Sequence, residues 1–66
     1  QYADFYNAAL KDSLFQQSDF TRADFRNVNF SESDWEYTDF IYCDFRGADL
    51  DGVQSWYCDF YGARFW

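Results

Sequence analysis

All nine phenylalanines of this 66-residue chain share one register: Phe5, Phe15, Phe20, Phe25, Phe30, Phe40, Phe45, Phe60 and Phe65 are separated by multiples of five. Leu10, Trp35, Leu50 and Ser55 fill the remaining places in the series, so thirteen centres run through the chain without an insertion. Nine residues scattered at random among five registers would coincide roughly once in several hundred thousand sequences, so the repeat is real. An α-helix repeats its side-chain direction every 3.6 residues and a strand every two. A period of five fits neither, and the fold must be one in which five residues form a unit that returns the chain to an equivalent place.

Each place in the unit has its own chemistry. Two residues before each centre stand Ala3, Ala8, Ser13, Ser18, Ala23, Val28, Ser33, Thr38, Cys43, Ala48, Val53, Cys58 and Ala63, all small, as expected of a confined position. One residue before the centre, Asp occurs eight times, at Asp4, Asp19, Asp24, Asp34, Asp39, Asp44, Asp49 and Asp59, which marks a position facing water. The two residues after the centre hold Lys11, Arg22, Arg26, Glu32, Glu36, Arg46 and all six tyrosines. Gly47, Gly52 and Gly62 fall on the second of these two, the place expected to turn. Phe occupies only centres and Tyr never does, as expected if an inward hydroxyl would lack a partner.

The units ADFYN, SDFTR, ADFRN, TDFIY, CDFRG, ADLDG and CDFYG resemble the pentapeptide repeats of the family of that name, and the likeness spans essentially the whole chain. The resemblance implies an all-β fold, a right-handed quadrilateral β-helix in which four units make a coil of 20 residues. About three coils in a single solenoid domain over residues 1–66, with no capping helix, are then expected. Residues 20 apart should stack: Phe5, Phe25, Phe45 and Phe65 in one column, Phe20, Phe40 and Phe60 in another, and Arg26 with Arg46. In the column Phe15, Trp35, Ser55, the large Trp35 is expected to fill the volume that Ser55 leaves. At 4.7 to 4.9 Å between strands, such a chain would be about 16 Å tall, flatter than it is wide.

The net charge of -7 argues against direct nucleic-acid binding, and no apolar run approaches the 18 or so residues of a membrane span, so membrane insertion is not expected. The first residues lack the parts of a signal peptide, and the sequence begins without Met and part-way through a repeat, as in a processed chain or part of a longer one. Eight evenly spread Asp do not converge as catalytic carboxylates or calcium ligands would. Stacked Asp19, Asp39 and Asp59 would repel, while Arg64 above Asp44 is expected to relieve another column. Cys43 and Cys58, both at the small inward position, read as buried thiols rather than metal ligands or nucleophiles. Without His, CxxC, a P-loop or a nucleophile triad, neither an enzyme nor a cofactor is indicated. Asn29-Phe30-Ser31 fits the N-glycosylation pattern at an outward position, so Asn29 is a site for possible modification.

What remains is interaction. A solenoid's open ends expose core side chains and unpaired backbone groups. Phe5, Leu10, Phe15 and Phe20 would face one end, and Leu50, Ser55, Phe60 and Phe65 the other. Tyr37, Tyr42, Trp56, Tyr57, Tyr61 and Trp66, joined by Ile41 beneath Tyr61, are expected to form an outer aromatic contact surface. The leading expectation is a structural unit that stacks head to tail with copies of itself into a fibre, for which an extracellular setting is favoured. Two alternatives follow. Some pentapeptide-repeat proteins protect bacteria from quinolones by resembling duplex DNA and occupying gyrase, and the acidity suits such a mimic although the length does not. The third reading is a subunit or piece of a larger scaffold docked on other proteins.

Overall fold

The structure is a computed structural model and describes residues 3–66. Three short strands, β1 (Leu14–Gln16), β2 (Asp34–Glu36) and β3 (Gln54–Trp56), pair in parallel in that order. Their register is Phe15 to Trp35 to Ser55, a step of 20 residues. Isolated parallel bridges repeat the same step elsewhere: Asp4 to Asp24 to Asp44 to Arg64, Ala9 to Asn29 to Asp49, and Asp19 to Asp39 to Asp59. Four ladders thus share one 20-residue register, and no helix occurs among the described residues. The architecture is all-strand and β-helix-like.

One bonding rule, repeated every five residues, accounts for this backbone. The N–H of a centre donates to the next layer (Phe25 to the Asp44 carbonyl, 2.8 Å), and so does the N–H two residues later (Asn27 to Arg46, 3.1 Å). The N–H before the centre donates the opposite way (Asp24 to Ala3, 2.9 Å). The small residue's N–H closes a turn onto the preceding centre (Val28 to Phe25, 3.3 Å). The fifth N–H, just after the centre, has no backbone acceptor in this scheme, and the Asp side chain takes it: Arg26 N–H donates to Asp24 Oδ1 at 3.0 Å. Asp4, Asp19, Asp44, Asp49, Asp59 and Asn29 do the same. Six of the eight Asp in the series are therefore turn caps.

The β1–β3 side departs from the rule. Its centres, Phe15, Trp35 and Ser55, form strand pairs, and no turn closes onto their carbonyls. Instead the next small residue caps the corner: Ser18 Oγ donates to the Gln16 carbonyl and Thr38 Oγ1 to the Glu36 carbonyl, both at 3.0 Å, and Cys58 Sγ lies 3.5 Å from the Trp56 carbonyl. Every corner has positive φ, from Asn7 at 64° to Tyr57 at 57°, with Gly47, Gly52 and Gly62 at 75°, 73° and 70°. Non-glycine residues resist this region by about 1–2 kcal/mol each. The ladders and turns must over-determine it at nine corners that lack glycine. At Gly62 crowding adds to the preference, because a Cβ there would run into the Tyr42 ring.

The interior is a stack of aromatic rings. Phe5, Phe25, Phe45 and Phe65 lie nearly parallel at 4.9, 5.3 and 5.2 Å between centroids, and Phe20, Phe40 and Phe60 at 5.7 and 5.3 Å. Neighbouring columns meet edge to face, as Phe25 does with Phe30 at 5.1 Å. Trp35 is buried, stacks on Phe15 and reaches within 6.1 Å of the Phe60 ring in the layer where its register partner is only Ser55. Its Nε1–H has no acceptor among the described residues, a cost of about 1–3 kcal/mol for filling that space. The Cα atoms span 20 × 19 × 18 Å, nearly equal in the three directions rather than the flattened body expected.

Candidate interaction surfaces

Burial separates the middle of the chain from its two faces. Ala23, Phe25, Val28, Phe30, Trp35, Phe40, Cys43 and Phe45 are buried. Phe5, Leu10, Phe15 and Phe20 on one face, and Leu50 and Phe60 on the other, are only half-buried. Ser55 is exposed and Phe65 is 37% exposed.

The faces also carry unpaired backbone groups. On the C-terminal face the N–H groups of Leu50, Gly52, Phe60 and Gly62 have no backbone acceptor among the described residues. On the N-terminal face the carbonyls of Asp4, Tyr6, Ala9, Lys11 and Asp19 receive no backbone N–H among the described residues. These are the same two classes of position that bond to each other between layers inside the molecule.

The outer aromatics do not form one cluster. Tyr37 and Tyr57 stack at 5.1 Å and 9°, with Trp56 beside them and Glu36 completing an open groove of ≈ 420 Å³. Tyr42 and Tyr61 meet edge to face at 5.6 Å around the next corner. Ile41 is half-buried there, and Trp66, the most exposed at 95%, leans on Phe65. No ring contact joins the two groups among the described residues, because the side carrying residues 58–60 separates them. Arginines share these surfaces: the Arg22 guanidinium lies 4.7 Å from the Tyr42 ring centre and that of Arg26 lies 5.0 Å from Tyr6, each pair 20 residues apart. That spacing was available in the sequence as the signal for both.

The carboxylates are compensated locally rather than along their columns. Arg26 clasps Asp24 and Arg46 clasps Asp44, at 2.8 and 2.6 Å. Arg64 stands in the ladder place opposite Asp44 and its charge favours the carboxylate, as expected, but the larger contribution comes from Arg46, two residues along the chain, which makes the ion pair. The hydrogen bond from Arg26 holds Asp24 below the usual carboxylate range, the one from Arg46 does so for Asp44, and the Thr21 hydroxyl does so for Asp19. Asn29 uses its side-chain oxygen to accept from Ser31 N–H and Oγ at 2.9 and 2.7 Å, so the glycosylation pattern coincides with a turn cap.

Cys43 is buried, its Sγ donates to the Phe20 carbonyl at 2.8 Å, and burial pushes its pKa up to about 11. Both thiols are unpaired, and no three potential metal ligands cluster among the described residues. A family model described as pentapeptide repeats (8 copies) matches residues 3–34 and 36–66. The chain belongs to the pentapeptide-repeat family. No curated protein matches it. Pentapeptide repeats make a structural scaffold.

Proposed function

We propose that this pentapeptide-repeat chain is a non-enzymatic structural unit, a right-handed quadrilateral coil of about three turns, that stacks head to tail with copies of itself. The observation carrying this reading is the complementarity of the two faces. Unpaired N–H groups at centres and corners of one face match unpaired carbonyls beside centres on the other, in the pairing that Phe25 makes with Asp44 and Asn27 with Arg46. Half-buried rings on both faces supply the apolar part. Contact between different faces does not close on itself, so it generates a filament. Thirteen units on a four-sided coil leave one over, so each copy would turn about 90° and advance about 16 Å.

The acidic duplex-mimic reading receives less support. Asp24 and Asp44 are matched by Arg26 and Arg46, and an 18–20 Å body offers few phosphate spacings. Sedimentation and negative-stain imaging of the 66-residue chain test the proposal. Filaments that shorten or vanish when Phe65→Lys or Leu50→Lys places a charge on the C-terminal face are expected. Monomers at millimolar concentration would overturn it, as would association indifferent to those variants but abolished by Tyr57→Ser.

A further inference from the structure

The groove formed by Glu36, Tyr37, Trp56 and Tyr57 lies on the outer surface, and Trp56 and Tyr57 place it beside the C-terminal face. We infer that it is a binding site for the guanidinium group of an arginine presented by a partner protein. This rests on the reading of the outer aromatics as a contact surface, and its test suppresses end-to-end stacking so that the two readings fail separately.

Four observations support it. The groove offers aromatic faces, with Trp56 and Tyr57 55% and 78% exposed and Tyr37 stacked behind Tyr57. It contains one carboxylate, on Glu36, which Gln16 Nε2 steadies by donating to Oε1 at 3.4 Å. Elsewhere this scaffold twice lays its own arginine over a tyrosine 20 residues away, Arg22 on Tyr42 and Arg26 on Tyr6. In the groove's own columns, Gln16, Glu36, Trp56 and Gln17, Tyr37, Tyr57, the sequence supplies no Arg or Lys. The groove therefore offers the ring half of such a contact, and its own columns supply no cation.

Chemistry selects arginine over other cations. A guanidinium is planar and weakly hydrated, so it stacks on Trp and Tyr faces while its edge donates to a carboxylate. An ammonium is compact and strongly hydrated, and fits an open groove less well. The net charge of -7 adds general attraction for a basic partner at low salt.

The test titrates N-acetyl-arginine amide, N-acetyl-lysine amide and N-acetyl-citrulline amide into ¹⁵N-labelled Phe65→Lys protein, which keeps stacking out of the measurement. Expected are saturable shifts of the Trp56 indole and the Tyr37 and Tyr57 amides with the arginine probe. Affinity should be about threefold weaker for lysine and about tenfold weaker for citrulline, which keeps the shape and loses the charge. Trp56→Leu and Glu36→Gln should each weaken arginine about threefold to fivefold, Trp56→Phe should restore most of the loss, and Tyr42→Ser should leave it unchanged. Equal response to citrulline, or shifts centred away from these four residues, would overturn the site whether or not the chain forms filaments.

Discussion

Phe25 and Phe65 stand in the same column of the stack, yet Phe25 is wholly buried and Phe65 is 37% exposed. Nothing in the residue distinguishes them. Phe25 has Phe5 on one side at 4.9 Å and Phe45 on the other at 5.3 Å, whereas Phe65 rests on Phe45 alone. Stability in such a molecule is a sum over contacts between adjacent layers, so a residue's contribution depends on whether both its neighbours exist. The middle of the stack behaves as a core, while each end is a half-core open on one side.

The largest effect should come from breaking the middle. Phe25→Ala or Phe40→Ala is expected to lower unfolding free energy by about 3–5 kcal/mol, against less than about 1.5 kcal/mol for Phe65→Ala, whose side chain has less burial to lose. Urea midpoints at low protein concentration would measure both, and equal losses would erase the distinction between layers. Next comes alkali. The Cys43 pKa is raised from 9.0 to about 11 in the folded chain, so its contribution is present below pH 9 and lost as pH rises through 11. The loss amounts to about 2 kcal/mol. Thermal melts across that range should show the decline, and Cys43→Ala should flatten it.

Smaller still are the turn caps. Asp24→Ala should cost about 1 kcal/mol and Asp34→Ala, on the strand side, under about 0.5 kcal/mol, because only Asp24 holds a turn N–H. The lowered pKa values of Asp19, Asp24 and Asp44 mean that the folded chain binds protons less readily there than the unfolded chain does. Their stabilisation is present above the ordinary carboxylate range and fades as pH falls through the folded values. Asp24→Asn with Asp44→Asn should blunt that acid limb. Least of all, Trp35→Phe should change stability by under about 1 kcal/mol, since removing the orphan Nε1–H offsets the lost volume. A loss as large as that of Phe25→Ala would show that the indole nitrogen has a role beyond filling space.

Register and facing were legible in the sequence because each position of the five excludes most residue types: a ring inward, a small neighbour, a turn. Phe25, Val28 and Phe30 lie where the period puts them. The work of Asp was read only as facing water, because period reveals direction but not which N–H lacks a partner. That follows from the ladder geometry, in which four of every five N–H groups find carbonyls and the fifth does not. The Ser18, Thr38 and Cys58 column was likewise visible as three side chains able to donate, but its purpose depends on the strand side forgoing the turn that closes the other three. The Arg26 and Arg46 pairings were obscured because both the ladder step of 20 and the local step of two bring charges together, and the shorter step wins.

Amide hydrogen exchange against protein concentration is the sharpest check on the claim that each layer needs a neighbour on both sides. The Phe30 and Phe40 N–H groups, bonded to Asp49 and Asp59, should be protected at every concentration. Those of Leu50, Gly52, Phe60 and Gly62 should exchange freely when dilute and become protected as the chain is concentrated. Protection of these four that does not change with concentration would contradict the account.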